Sequence, residues 1–283
     1  MDFPQTLRAA RRRRHLSQLD LALRAGTTQR YLSFMESGRS RPGRTMVVRL
    51  GESMELPLRE RNELLSAAGY APVYPRTPLD DPGLAHVRTA LGHILAGHLP
   101  YPAVVVDADH ELVLANDAFG LLTEGAAGHL LRPPVNVLRL SLHPEGLAPR
   151  IVNLAQWARH IIDRVPPGEL REELSGYVPH AEPGHDHVGF AVPVRLRSAR
   201  GELRLTTTIT TFATALDVTV AELKLEAFLP ADAATAAALA DGSRTARRAG
   251  APGSAHRPED SRTDDSRTSG FRTDGSRTDA PAR

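Results

Sequence analysis

Three groups of residues in this chain have types and spacings that could do chemistry. His180, His185 and His187, with Glu182 and Asp186 among them, are residue types that hold a transition metal. They fall in a stretch with Pro and Gly and without helical i, i+4 register, so they read as a solvated loop and no metal is expected. Ser141-Leu142-His143 pairs a hydroxyl with an imidazole. Neither a matching acid nor the glycines of a nucleophile elbow accompany the pair, which sets a hydrolase aside. No Gly-rich phosphate loop occurs, and the chain has no cysteine to serve as nucleophile, disulfide or zinc ligand. With no acid, base and nucleophile set remaining, the chain reads as a non-enzyme. The third group is Asn153, Trp157 and His160, at helical spacing beside an apolar face. Two readings stand for it: polar groups and an indole edge offered to a ligand, or a helix shoulder packed on a sheet. His143-Pro144 likewise either shapes a turn or touches that ligand.

A different chemistry is carried by arginine. The first 50 residues hold 11 Arg against 3 acids. Over residues 1–70 the net charge is +6, over 71–240 it is −6, and over 241–283 it is +2. Such asymmetry predicts a basic module that meets a polyanion, joined to a module that does not. Lys224 is the only lysine, and the preference for arginine reads as codon pressure. The length of 283 residues suits one or two domains. No window approaches about 18 apolar residues, so no membrane span is expected, and a cytoplasmic location fits.

The elements that must position the arginines are short helices. Phe3 to Arg14 reads as a helix with Leu7 and Ala10 inward. Ser17 and Asp20 make a capping-box variant for the next helix, with Leu19, Ala22 and Leu23 as its buried stripe and Gly26 as its stop. Thr28 caps a third helix from Gln29 to Glu36, with Leu32 and Met35 inward and Gly38 closing it. Two short helices split by a Gly-bearing turn form a helix-turn-helix. Two more helices, Thr45–Met54 and Leu58–Ala68, complete residues 1–70.

The run from Leu16-Ser-Gln through Ala22, Ala25-Gly26 and Glu36-Ser-Gly-Arg39 to Pro42 resembles the phage-repressor, or Xre, class of helix-turn-helix proteins. The resemblance implies that Gln18 touches a phosphate. It places Thr28, Gln29, Arg30, Ser33 and Phe34 at the start of the recognition helix, where base edges are reached. Arg30 would pair with guanine and Gln29 with adenine. Arg39, Arg41 and Arg44 would contact the phosphate backbone. Glu36 would pair with Arg11 as a structural contact. Phe34 replaces a polar residue often found there, and either meets a thymine methyl or packs.

Residues 71–82, with four prolines, read as a linker or stiff connection. Residues 83–241 mix periods. Tyr101–Asp107 and Glu111–Ala115 read as strands, and Asn116 and Asp117 cap a helix that carries Phe119. Val135–Leu142 and Pro167–Tyr177 read as helices, and Gly146–Val165 as the clearest long one. Val188–Arg197 and Glu202–Phe212 read as strands; Val218–Leu229 reads as a strand, with a helix left open. Residues 242–283 carry a pentapeptide repeat from Ser261 and are expected to be a disordered tail.

That order resembles a PAS-like domain, an antiparallel sheet with helices on one face. Leu65-Ser-Ala-Ala-Gly-Tyr-Ala-Pro72, Val104-Val-Val-Asp107, Val113-Leu-Ala-Asn116, Leu142-His-Pro-Glu-Gly146, Ile151-Val-Asn153 and Phe228-Leu-Pro-Ala-Asp232 together resemble the actinobacterial MmyB-like regulators. The fold class implied is an all-α helix-turn-helix domain followed by an α+β PAS-like domain. The function implied is a DNA-binding transcriptional regulator with no cofactor but a small apolar ligand, of fatty-acid type, between helices and sheet. Phe119, His143, Asn153, Trp157 and His160 are the candidate ligand residues. The partner is double-stranded DNA, met as a homodimer on a palindromic operator. The same apolar faces would also make a filled core, and the alternative is a second domain that only dimerises or holds a partner protein.

Overall fold

The computed structural model describes residues 2–178, 192–212 and 214–249, with side chains to position 241. The stretch with His180, His185 and His187, and the repeats from Ser261, lie outside the described residues. Among the described residues, no helix is long and apolar enough to cross a membrane.

The basic segment folds into five helices: α1 (Phe3–Arg13), α2 (Gln18–Arg24), α3 (Gln29–Glu36), α4 (Arg44–Ser53) and α5 (Leu58–Ala67). Their ends follow from local chemistry. The Ser17 hydroxyl accepts from the Asp20 amide, and the Asp20 carboxylate accepts from the Ser17 amide, both at 3.0 Å. The Thr28 hydroxyl accepts from the Tyr31 amide at 3.2 Å. Gly26 sits at φ 61°, a conformation that ends α2 and lets α3 turn across it. Leu7, Leu21, Leu32, Met35, Leu50 and Leu64 close one core between the helices.

The stripe expected on α2 is corrected. Leu21, Ala22 and Ala25 are buried, whereas Leu19 and Leu23 are 49% and 68% exposed. At about 100° per residue, Leu21 points almost opposite to both, so the helix can bury only one of the two sets. Leu21 is the one that meets α3 and α4.

The second domain is built on a five-stranded antiparallel sheet in the order β2-β1-β5-β4-β3. The strands are β1 (Ala103–Val106), β2 (Leu112–Ala115), β3 (Val194–Ser198), β4 (Gly201–Thr211) and β5 (Lys224–Pro230). Side chains alternate across it. Ala103, Val105, Leu225 and Ala227 pack with Leu91 and Leu95 of α6 (Ala85–Gly97), a helix not foreseen from the sequence. The opposite face looks toward α7 (Phe119–Thr123), α8 (Val137–Leu142), α9 (Leu154–Ile162) and α10 (Glu169–Tyr177). Leu142, Ile151, Ala158, Leu174, Val194, Leu196 and Leu203 form the core there.

Three boundaries differ from the sequence reading. Gly146–Val165 is not one helix: a 3-10 turn over Ala148–Arg150 gives way to an extended Ile151, which bridges to Leu196 before α9 begins. The Val152 amide donates to the Arg195 carbonyl at 2.7 Å. Pairing with the edge strand β3 outweighs the helical period at that point. Val218–Leu229 is likewise split into α11 (Val218–Glu222) and β5. The Asp217 carboxylate accepts from the amides of Thr219 and Val220, a cap that overrides the β-branched flanks. The last helix among the described residues, α12 (Ala233–Ala249), runs past position 242, where composition placed the tail. Its alanines are strong helix formers.

Residues 71–82 are a strap rather than a free tether. The Asn62 side chain on α5 accepts from the amides of Val73 and Tyr74, each at 3.1 Å, and donates to the Tyr74 carbonyl at 2.7 Å. On the other side, the Val218 amide donates to the Pro75 carbonyl at 2.8 Å and the Thr77 amide to Asp217 at 3.1 Å. Arg59 of α5 closes the bridge on Glu222 of α11 at 2.6 Å.

Candidate DNA interface and ligand cavity

The arginine run at 11–14 is spent largely inside the first domain. Arg11 grips the buried Glu36 carboxylate through Nε at 2.6 Å and Nη2 at 2.9 Å, and donates to the Leu16 carbonyl at 2.7 Å. Arg13 pairs with Glu60 at 2.7 Å, and Arg14 donates to the Glu55 carbonyl at 3.0 Å. Burial would raise the Glu36 pKa, but hydrogen bonds from Arg11 and Gln18, with the charges of Arg11 and Arg8, hold it below the usual carboxylate range. Gln18, expected at a phosphate, gives its amide to Glu36 at 2.8 Å. The network ties α1, α2 and the end of α3 together.

What remains outward is the N-terminal half of α3. Thr28, Gln29 and Arg30 are exposed, and Ser33 and Phe34 are partly exposed. The Arg30 guanidinium lies 5.4 Å above the Phe34 ring, so Phe34 packs against Arg30 rather than into the core. Arg39 and Arg44 are exposed beyond the helix. Arg41 is also exposed, but one of its amines donates to the Ala68 carbonyl at the end of α5, at 3.1 Å. Only its remaining donors are left for a phosphate.

Between the sheet and α7–α9 lies a cavity of about 420 Å³. Leu122, Leu140, Leu147, Ile151, Val194 and Leu196 make it apolar over most of its wall. Phe119, Trp157 and His160 line it too. The Trp157 indole donates to the Ser141 hydroxyl at 3.0 Å, and the His160 ring stacks on it at 5.6 Å.

Two of the expected ligand residues stand elsewhere. The Asn153 side chain is consumed by β3, accepting from the Arg195 amide at 3.0 Å and donating to the Pro193 carbonyl at 2.9 Å. His143 lies outside the cavity wall, its ring edge-on to Tyr177 at 4.9 Å and its Nδ1 accepting from the Glu145 amide at 3.0 Å. It falls in a group with His129 and Glu145 whose donor atoms lie within 4.8 Å of one another. Sequence spacing does not reveal that group, because the fold brings His129 to the turn after α8.

Residues 87–241 match the family described as the MmyB-like transcription regulator ligand binding domain. The match spans more than half of the chain. The protein belongs to the MmyB-like transcription regulators. Residues 7–60 match the helix-turn-helix family. Among curated proteins, no match is found. The MmyB-like regulator is a DNA-binding transcription regulator with a ligand-binding domain, and its two domains are those of a regulator.

One end of the cavity in this MmyB-like regulator is polar, which the sequence reading missed. Lys224 and Glu226 project from β5, with His110, Thr207 and Arg164 around them. Burial lowers the His110 pKa, and the Lys224 charge adds to that, against Asp107 and Asp109. Burial raises the Glu226 pKa, against the charges of Lys224 and Arg164. A signal was present. Leu223, Leu225, Ala227 and Leu229 share one face of this strand, so Lys224 and Glu226 must share the other. Helices cover both faces of this strand, α6 on one side and α7–α9 across the cavity on the other, so neither face is free to solvate a charge. The only lysine of the chain standing there marks the site.

Proposed function

We propose that this regulator binds a roughly palindromic operator as a homodimer in the cytoplasm, and that a small, mostly apolar ligand of fatty-acid type in the cavity sets its affinity for DNA. The reading rests on the cavity. Packed interiors leave few voids larger than a water molecule. A space of about 420 Å³ with an apolar wall falls in the range of small-molecule sites. The exposed half of α3 supports the DNA reading, since one helix reads few base pairs and two half-sites stand about 34–36 Å apart.

The test is native mass spectrometry of the purified chain, followed by operator titration before and after lipid extraction. The expected result is a co-purifying amphiphile whose removal changes DNA affinity. A chain that carries no small molecule, and whose DNA affinity ignores added fatty acids, overturns the ligand reading. It would leave the second domain as a dimerisation or partner module.

A further inference from the structure

The polar end of the cavity holds more hydrogen-bonding capacity than an apolar ligand can use. His110 Nδ1 and Thr207 Oγ1 are buried there without a hydrogen-bond partner. Buried polar atoms are nearly always paired, so an orphan in a cavity wall marks where a ligand or water supplies the partner. Among the described residues, no hydrogen bond or ion pair engages the Lys224 ammonium or the Glu226 carboxylate. Arg164 differs, since it is paired with His160 at 3.1 Å.

These groups have an order along the sheet. Lys224 faces Val106 on β1, from which the chain runs on to the turn with His110. Glu226 faces Ile209 on β4, and Thr207 stands opposite Phe228, one same-face step further. Lys224 and Glu226 are two residues apart, roughly 7 Å along the strand. A cation therefore leads, a carboxyl follows, and a hydroxyl comes last before the apolar wall.

A simple carboxylate head fits this order poorly. It would pair with Lys224 but offer no donor to the Glu226 carboxylate and no partner to the Thr207 hydroxyl. A head that carries an acceptor at its end and a hydroxyl one or two carbons inward answers the whole set. The carboxylate takes Lys224 and His110. The hydroxyl donates to Glu226 and accepts from Thr207. Building on the fatty-acid-type reading above, we infer that the cavity selects hydroxylated acids over plain ones, through Glu226 and Thr207.

At about 30 Å³ per water-sized group, the cavity takes roughly fourteen non-hydrogen atoms. β-Hydroxydecanoic acid is of that size, and decanoic acid is its control. Both are titrated calorimetrically into the delipidated full chain, the Thr207→Val variant and the Glu226→Leu variant, with circular dichroism as the folding check. The wild type should bind the hydroxy acid about tenfold more tightly. Either variant should bring the hydroxy acid level with decanoic acid. Should Glu226→Leu fail to fold, Thr207→Val, nearly equal in shape, decides alone. Equal affinities in the wild type overturn the inference while leaving the fatty-acid-type reading standing. A preference that persists in a folded variant overturns the residue assignment. Binding of neither acid overturns both readings.

Discussion

Glu36 receives hydrogen bonds on both its carboxylate and its backbone carbonyl. Arg11 and Gln18 hold the carboxylate, while Arg8 donates to the carbonyl at 2.7 Å. The side chain is 1% exposed, so its charge depends on Arg11. Arg11→Ala should therefore destabilise the chain by about 3–5 kcal/mol, read by denaturant unfolding, because a buried charge is left alone. A loss under about 1 kcal/mol would show the pair to be dispensable. The pH dependence has a definite sign. The Glu36 pKa is depressed in the folded state, so the unfolded state takes up the proton first on acidification. The stabilisation is whole above the ordinary glutamate value of 4.5 and is lost as pH falls below it. Glu36→Gln should flatten the acid limb of thermal midpoint against pH. The base-reading role expected of Arg30 and the phosphate role expected of Arg44 give different outcomes. Arg30→Ala should cost about 1–3 kcal/mol and relax preference at one operator position. Arg44→Ala should weaken every sequence and reduce the salt slope by about one. Equal weakening of all sequences by Arg30→Ala would remove it from base readout. Arg41 differs from both, since its bond to Ala68 makes Arg41→Ala a stability change as well.

At the scale of elements, α11 stands between the two functional regions. Its last residue, Glu222, holds Arg59 of the DNA-binding domain, and two residues later Lys224 faces the cavity. The strap adds two further ties, to Asn62 on α5 and to Asp217 at the start of α11. Arg59→Ala should leave the operator affinity of the ligand-free chain within about twofold but reduce its response to ligand. An undiminished response would show that the coupling runs elsewhere. Elements with a strong local signal were legible in the sequence. The capping box of α2, the Thr28 cap, the Thr-, Leu- and Ile-rich run of β4 and the apolar alternation of β5 all have local causes. The break at Ile151 was not, because its cause is the backbone of β3, some forty residues away. Asn153 shows the same limit: helical spacing put it beside Trp157, but its amide serves Pro193 and Arg195. Trp157 and His160 do reach the cavity, since α9 itself has a single apolar face. The polar end was half legible. The face of β5 followed from its alternation, but only the register against β1 and β4 brings His110 and Thr207 to Lys224 and Glu226.

The whole molecule joins a basic domain to an acidic one, with net charges of +6 over residues 1–70 and −6 over 71–240. The acidic charge of the second domain disfavours contact with DNA, so the dimer contact proposed above is assigned to that domain. By sedimentation, residues 1–241 should dimerise and residues 1–70 should remain monomeric and bind a palindromic site more weakly. A short fragment that binds as tightly as the long one would remove the second domain from half-site spacing. A ligand can act on such a dimer only through different affinities for its arrangements. Coupling of this kind usually amounts to about 5- to 150-fold in affinity. The most direct test is an anisotropy titration of the operator with delipidated full chain, with and without a saturating hydroxy acid whose binding calorimetry has established. The two dissociation constants should differ by about fivefold or more. Identical constants, with the ligand bound, would contradict ligand control of DNA affinity.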